Sequence, residues 1–354
     1  MQFWRLLKPA VLLLLLPLSL EAESGIGWRG FTSVDGLRES YCSKLSVGPS
    51  GRVFIIHGHT DRMSVMDGYA IRQLPVPGVE VKAKEGAAGE IWAFAPEGQV
   101  PNPADLDERQ RLIGLQRYSE ESGRWEVFDV PEIRAAGLES PDLFLPLGKG
   151  VVAYLLPDRL MEFNARSRSS RVLMLAAQTG LGTFLEVQQS MAGGIWIGGK
   201  RGLGCYDQAG SVRWKEYLLE ALGAVSDVHG IREARPGVVF AVVNGQPKPR
   251  EIVVRLRESR WEKVAEARDQ VVGWEAEDGG YWLMQGAPEH FSVIRFDGYR
   301  TVAEQRIKPL SGTFRQAVLG PGGTFWIATN ISAARHAPSA WRTPPVLGGI
   351  DGGG

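Results

Sequence analysis

One sequence unit recurs along this chain at a nearly constant spacing, and it limits the folds that the chain can adopt. The unit is a glycine followed by apolar residues and an aromatic residue, as in GIWIGG from Gly194 to Gly199. Its copies begin at Gly51, Gly89, Gly150, Gly194, Gly237, Gly280 and Gly323. Successive copies are separated by 38, 61, 44, 43, 43 and 43 residues. Repeats of this length are typical of propeller blades with four strands each.

The segment Gly193 to Asp207, GGIWIGGKRGLGCYD, shows what one copy folds into. An alternating apolar run from Ile195 to Ile197 is followed by a glycine-rich reversal and a second short run from Leu203 to Tyr206. Glycine allows the backbone conformations of a tight reversal, and aromatic and β-branched residues suit a half-buried pleated surface. The segment therefore predicts two antiparallel strands joined by a turn.

A second set of aromatic residues keeps step with the first and marks the outer strand of five of the units. Its members are Trp125, Trp214, Trp261, Tyr299 and Trp341. Together the two sets predict an all-β fold, a seven-bladed β-propeller of four-stranded antiparallel blades. The predicted units are Arg38 to Gly78, Val79 to Ile133, Pro141 to Gly182, Thr183 to Gly223, Asp227 to Arg268, Asp269 to Pro309 and Leu310 to Leu347.

Two segments resemble a known repeat family. GGIWIGGKRGLGCYD is similar to the two-component regulator propeller repeat, and WRGFTSVDGL, from Trp28 to Leu37, resembles the linker between such repeats. Gly199 stands where the family has threonine, and most other copies lack the Gly-Leu pair. The resemblance implies an exported sensory propeller that detects a small molecule or carbohydrate and signals through a sensor kinase or regulator.

The two ends of the chain carry separate expectations. Residues 1–22 read as a signal peptide, with Arg5 and Lys8 before an apolar run too short to span a membrane, so we expect export, to a periplasm. We assign residues 23–347 to the propeller and residues 348–354 to a flexible glycine-rich tail or truncation point. Membrane attachment would come only through missing downstream sequence.

Ring closure is left open by the sequence, because both Trp28 and Trp341 begin segments that look like outer strands. One of them is surplus in a single closed ring. Either the N-terminal strand completes the last blade, or Trp341 leads into further sequence.

Composition excludes some partners. Lys+Arg and Asp+Glu number 40 each, and no basic block occurs, so the electrostatic signature of a nucleic-acid-binding protein is absent. Cys42 and Cys205 fall in the first and fourth units, which a ring places far apart. We therefore expect two free thiols rather than a disulfide.

The second unit is longer than the others because of an insertion from Glu97 to Leu115. We place it between the second and third strands of the blade, on the face that also carries the connections between blades. Long loops are often functional, although a solvent-exposed loop without a function explains the insertion equally well.

The sequence contains no complete catalytic or cofactor-binding motif. Gly194 to Lys200 fits the start of a phosphate-binding loop, but Arg201 replaces the residue that would hold magnesium, so a β-hairpin explains the segment better.

His57 and His59 alternate on a strand and could ligate a metal with Asp61. Further ligands would have to come from His229, His290 or His336, which are scattered over the later units. We expect no catalytic residues, metal or cofactor.

The tryptophans, 11 in all, recur mostly at fixed repeat positions, which indicates packing between blades. Trp274 departs from that pattern and could contact a ligand. The predicted ligand-binding residues on the loop face are therefore Trp274, His57 and His59.

The resulting prediction is a non-catalytic, ligand-sensing binding platform. Two alternatives stay open. One is a periplasmic propeller lyase or hydrolase, similar in architecture to streptogramin lyases, with a metal at the mouth of the funnel. The other is a protein-interaction scaffold, which a large apolar patch on the loop face would favour.

Overall fold

The computed structural model describes most of the chain between Trp28 and Ala337. For the described residues between 267 and 306, nothing beyond the backbone is described. The described residues are 28–68, 70–78, 81–98, 111–138, 143–207, 213–245, 251–267, 271–275, 281–287, 290–296, 301–306, 312–321 and 324–337.

Short antiparallel strands make up nearly all of the regular structure. The first nine are β1 (Trp28–Phe31), β2 (Cys42–Val47), β3 (Val53–His57), β4 (Arg62–Asp67), β5 (Ala70–Pro75), β6 (Lys84–Glu85), β7 (Ile91–Pro96), β8 (Leu112–Ser119) and β9 (Arg124–Asp129). They are followed by β10 (Phe144–Gly148), β11 (Val151–Leu156), β12 (Arg159–Asn164), β13 (Ser169–Leu175), β14 (Phe184–Gln189), β15 (Ile195–Gly199), β16 (Gly202–Tyr206), β17 (Trp214–Leu218), β18 (Val225–Arg235) and β19 (Val238–Gly245). The last are β20 (Glu251–Arg257), β21 (Arg260–Ala267), β22 (Val271–Glu275), β23 (Tyr281–Ala287), β24 (His290–Phe296), β25 (Thr301–Arg306), β26 (Phe314–Leu319), β27 (Phe325–Thr329) and β28 (Ala333–His336).

Helical structure is confined to connections. The α-helix α1 (Pro131–Ala136) and 3₁₀ turns at Ser33–Asp35, Ala176–Gln178 and Leu219–Leu222 lie between sheets. Among the described residues, no helix combines the length and the apolar character needed to cross a membrane.

The strands form a β-propeller of four-stranded antiparallel sheets. Six sheets each use four successive strands, and we call them blades 1 to 6: β2–β5, β6–β9, β10–β13, β14–β17, β18–β21 and β22–β25. One further sheet, which we call the closing sheet, has the order β1-β28-β27-β26 and combines the two ends of the chain.

The predicted seven-bladed propeller is therefore wrong and needs correction. The chain forms six continuous blades, and the unit predicted from Leu310 to Leu347 supplies only three described strands of the closing sheet. Its outer strand is β1, which pairs with β28 from Trp28↔His336 to Phe31↔Ala333. The N-terminal strand completes the last sheet, and Trp341 lies outside the described residues.

Aromatic packing explains why β1 takes that position. The ring of Phe31 stacks on Trp326 at a centroid distance of 5.6 Å, and Trp28 meets Phe325 edge-on at 6.0 Å. Phe31 is only 5% exposed. Burying a phenylalanine side chain contributes about 2 kcal/mol, which a short strand needs because it forms few backbone pairs.

The core lies between the sheets, where the faces of neighbouring blades meet. Between blades 2 and 3, the rings of Phe94 and Phe144 lie 5.0 Å apart, and those of Phe128 and Phe163 lie 5.5 Å apart. All four side chains are buried. Blades 2 and 3 therefore bury their facing sides against each other, as expected of repeats that cannot fold alone.

Polar side chains on the innermost strands connect neighbouring sheets at three junctions. Gln316 Oε1 accepts a hydrogen bond of 2.8 Å from the Leu45 backbone N–H, and Lys84 Nζ donates one of 2.8 Å to the Phe144 carbonyl. Glu186 Oε1 accepts from the backbone N–H of Ile231 at 3.1 Å. These bonds satisfy backbone groups at the inner edge of each sheet, where no fifth strand can pair.

Two local predictions are confirmed. The predicted insertion begins after the second strand of blade 2, which ends at Pro96, and leads into the third strand, whose first residues, Leu112 to Leu115, the prediction includes in the insertion. Residues 99–110 of the insertion lie outside the described residues. Cys42 and Cys205 are both free thiols.

Candidate functional site

An open cleft lies where the ring closes. One wall comes from the segment of residues 32–41, which connects β1 of the closing sheet to β2 of blade 1. The other wall is the turn of residues 58–61 between β3 and β4. The cleft has a volume of about 580 Å³. We call it the seam cleft, and its lining residues are Arg38, Glu39, His59, Thr60 and Asp61.

Glu39 fixes the orientation of His59 across the cleft. Its Oε1 lies 2.6 Å from His59 Nδ1, and its Oε2 accepts a hydrogen bond of 3.1 Å from the His59 backbone N–H. A carboxylate accepts hydrogen bonds, so Nδ1 carries the proton. His59 Nε2 makes no hydrogen bond with any residue that the structure describes, and the side chain is 65% exposed. The imidazole therefore presents a free Nε2 to the cleft.

Tyr41 forms a support beneath this histidine. Its ring lies 5.0 Å from the His59 ring in an edge-on contact, and the guanidinium of Arg315 lies 5.2 Å from its centroid. A Cβ on Gly58 would come within 2.5 Å of the Tyr41 ring. Glycine at position 58 therefore allows the tyrosine to pack against the turn that carries His59.

Arg38 supplies the positive charge of the seam cleft. Its Nε donates to Thr60 Oγ1 at 3.4 Å, and its backbone N–H donates to Ser64 Oγ at 2.9 Å. Its two Nη groups have no hydrogen-bond or ion-pair partner within the described part of the chain. The guanidinium is thus held through its Nε and presents both Nη groups to solvent.

His57 lies below the cleft rather than in it. Its Nδ1 is 2.8 Å from the Tyr41 carbonyl oxygen, its Nε2 is 2.8 Å from Ser64 Oγ, and the residue is 4% exposed. Burial lowers the pKa of His57, which keeps the ring neutral. With both ring nitrogens in use, His57 positions the segment above it.

The two histidines do not share a strand face, in contrast to the sequence interpretation. Strand β3 ends at His57, and Gly58 begins the turn, so the alternation does not extend to His59. The side chain of Trp274 lies outside the described residues, and its backbone belongs to β22, the inner strand of blade 6. The three predicted site residues are therefore not seen together.

The other candidate ligands also lie apart from the cleft. His229 sits on β18 with Nδ1 3.0 Å from the Asp227 carbonyl oxygen, and His336 lies on β28 against Trp28. His290 begins β24, and its side chain is not described. Within the described residues, no group of three His, Cys, Asp or Glu side chains could hold a metal ion.

The rejected phosphate loop folds as predicted. Ile195–Gly199 forms a fully buried strand that pairs with Gly202–Tyr206. A strand packed on both faces leaves no space in which backbone N–H groups could surround a phosphate.

Sequence reasoning missed Arg38, Glu39 and Tyr41. Glu39 lies 20 positions before His59, in a segment that reads only as a linker. These residues reach His59 because β1 closes the ring and the segment after it then passes over blade 1. A Glu-Ser-Tyr sequence after a linker carries no signal that could have revealed this.

Comparison with known proteins rests on structure. No family model matches the chain, and no curated protein matches it. Virginiamycin B lyase from Staphylococcus aureus aligns with a TM-score of 0.58 at 13% identity, covering 88% of this chain and 99% of that one. YCF48 bound to D1 peptide aligns with a TM-score of 0.52 at 12% identity, covering 88% of this chain and 97% of that one.

The extracellular domain of a hybrid two component system from B. thetaiotaomicron is also similar. It aligns with a TM-score of 0.53 at 13% identity and covers 88% of this chain, which spans 39% of that longer chain. At such identities the likeness shows the fold and nothing finer. What these proteins share with this chain is the β-propeller.

Proposed function

We propose that the protein is an exported, ligand-sensing propeller whose ligand binds in the seam cleft. The observation that carries the proposal is the pair formed by His59 and Glu39. The carboxylate holds the imidazole by two hydrogen bonds of 2.6 and 3.1 Å, while Nε2 faces an open cleft of about 580 Å³. A fixed polar group in a concave site on the loop face is what a ligand-binding propeller requires.

The site is also suited to signalling, because both ends of the ring meet there. The segment of residues 32–41 leads directly from β1, the strand that closes the ring. A ligand that bridges this segment and the turn of residues 58–61 stabilises the closed ring by mass action. The structural similarity to the extracellular domain of a two-component system supports a sensory role, with a kinase or regulator as the partner.

A thermal-shift screen of small molecules tests the proposal. Ligands of the seam cleft raise the melting temperature of the wild type and lose that effect in H59A and E39A. The control is R166A, because Arg166 is exposed in the turn between β12 and β13, on the opposite face of blade 3. A ligand that stabilises all four proteins equally binds elsewhere, and that result would contradict the proposal.

A lyase is the second candidate, and the same histidine supports it. With Nδ1 bound to Glu39, Nε2 of a neutral His59 holds a lone pair and can accept a proton from a substrate. Virginiamycin B lyase shares the fold. Incubating the protein with virginiamycin B and separating substrate from product by liquid chromatography decides this: a lyase converts the compound and H59A does not, whereas a binding module leaves it intact.

A further inference from the structure

The seam cleft is lined by one guanidinium, that of Arg38, and by two carboxylates, those of Glu39 and Asp61. The carboxylate of Glu39 accepts hydrogen bonds from His59, and Asp61 Oδ2 lies 4.0 Å from Arg62 Nε. Arg38 has no acidic partner among the residues described. Its guanidinium is therefore open to an anionic group of a ligand, while Asp61 can accept from hydroxyl groups of the same ligand.

A second cation stands at the edge of the cleft. The guanidinium of Arg315, on the inner strand β26, lies over the Tyr41 ring and forms no ion pair with a described residue. Tyr41 thus contacts both His59 and Arg315.

His59 adds a proton-dependent donor to these cations. Because Nδ1 already donates to Glu39, Nε2 can donate to an anionic ligand only after the imidazole takes up a second proton. The Glu39 carboxylate then balances the charge of the imidazolium. Histidine is the side chain that changes its charge between about pH 5 and 8.

The groups that face His59 come from every neighbouring element. The segment of residues 32–41 contributes Arg38, Glu39 and Tyr41, and the turn that carries His59 contributes Asp61. His57 lies buried beneath, on β3, and Arg315 lies beyond Tyr41. Of the charged groups in this set, only Glu39 forms hydrogen bonds with His59.

Resting on the function proposed above, we propose that the ligand of the seam cleft is a small hydroxylated carboxylate, and that His59 takes up a proton when it binds. The planar guanidinium of Arg38 matches the two oxygens of a carboxylate. Thr60 Oγ1 and the Asp61 carboxylate lie beside it and can bond to hydroxyl groups of the same ligand. The proposal assigns anion recognition to Arg38 and proton linkage to His59.

Isothermal titration calorimetry with sodium gluconate and sorbitol tests the ligand class, because the two molecules differ only in the carboxylate. Gluconate is expected to bind at pH 6 and to bind about tenfold more weakly at pH 8, and sorbitol is expected to give no signal. Titrations at pH 7 in buffers of different ionisation enthalpy are expected to show uptake of part of one proton. No measurable binding of gluconate, or equal binding of gluconate and sorbitol, overturns the proposal.

Variants assign the roles. R38A is expected to weaken gluconate binding at least tenfold, R38K less, and the surface control R166A not at all. H59Q is expected to bind equally at pH 6 and pH 8, with no proton uptake. Circular dichroism confirms that each variant is folded. Unchanged binding by R38A, or a pH dependence that survives in H59Q, would overturn the assignment.

Two further measurements distinguish failure of this inference from failure of the proposed function. Inorganic phosphate that competes as well as gluconate would show a general oxyanion site and overturn the carboxylate class. A neutral compound that stabilises the wild type but not H59A, while gluconate does not bind, would remove the inference and leave the ligand-binding function in place.

Discussion

The indole Nε1 of Trp125 donates a hydrogen bond of 3.1 Å to the carbonyl oxygen of Pro75, across the boundary between blades 1 and 2. Trp261 does the same between blades 4 and 5, with its Nε1 3.2 Å from the Tyr217 carbonyl oxygen. Each tryptophan lies on an outer strand and reaches back to the outer strand of the preceding blade. Two of the aromatic markers found in the sequence, Trp125 and Trp261, are therefore links between blades.

Removing either indole N–H is expected to weaken the ring. W125F and W261F keep an aromatic ring but leave a backbone carbonyl without its donor, which costs about 1 kcal/mol each. Urea unfolding followed by fluorescence or circular dichroism measures the change in free energy of unfolding. Because the two sites lie on different blade pairs, the double variant is expected to lose the sum of the two single losses in free energy of unfolding. Stabilities equal to the wild type would show that these bonds do not hold blades together.

Ring closure by β1 gives a second expectation. F31A removes the ring that stacks on Trp326 and is expected to cost about 3 kcal/mol, since a buried phenylalanine leaves a cavity. V34A is the matched control, because Val34 is 95% exposed three residues later. Equal unfolding midpoints for the two variants would contradict the role of β1.

The stability of the ring is expected to depend on pH through His57. Burial lowers the pKa of His57 below the ordinary value of 6.5, so the unfolded chain binds more protons than the folded one below that value. Stability is thus fully present above pH 6.5 and falls as the pH drops through the folded pKa, by at most about 1.4 kcal/mol per pH unit.

Urea titrations between pH 5 and 8 check this dependence. H57Q is expected to show a shallower loss below pH 6.5 than the wild type, even though it is less stable overall. H59Q serves as the comparison, since His59 is exposed. If the stability of the wild type and of H57Q changed with pH in parallel, His57 would be excluded as the source of the pH dependence.

The two thiols are expected to be inert in the folded protein. Burial raises the pKa of Cys42 to about 12 and that of Cys205 to about 11, so neither forms a thiolate at pH 8. An aromatic disulfide reagent is expected to react with both only after urea is added. Fast reaction of Cys42 in the native protein would contradict its burial.

Local features of the fold could be predicted from the sequence, and features that depend on ring closure could not. The hairpin around Ile195–Gly199 follows from alternation and glycine, which act within a few residues. The pairing of Trp28 with His336 joins positions at opposite ends of the chain, and no local pattern fixes it. The correction from seven blades to six continuous blades and a shared closing sheet has this origin.

The residues of the candidate site also differ in whether the sequence alone could reveal them. His59 could be named from its residue type and its position near a turn. Its partner Glu39 could not, because a carboxylate in a linker is ordinary until the fold brings it within 2.6 Å of an imidazole. Alternation also assigned His57 to the wrong environment, since the strand that it implied ends at that residue.

Histidine footprinting with diethyl pyrocarbonate, read by mass spectrometry, tests the central claim that the seam cleft holds the ligand. Without ligand, His59 is expected to react fast and His57 hardly at all, with the half-exposed His229 as an internal reference. Adding the compound that gives the largest thermal shift is expected to slow His59 alone. A rate at His59 that does not change on saturation with that compound would contradict the account.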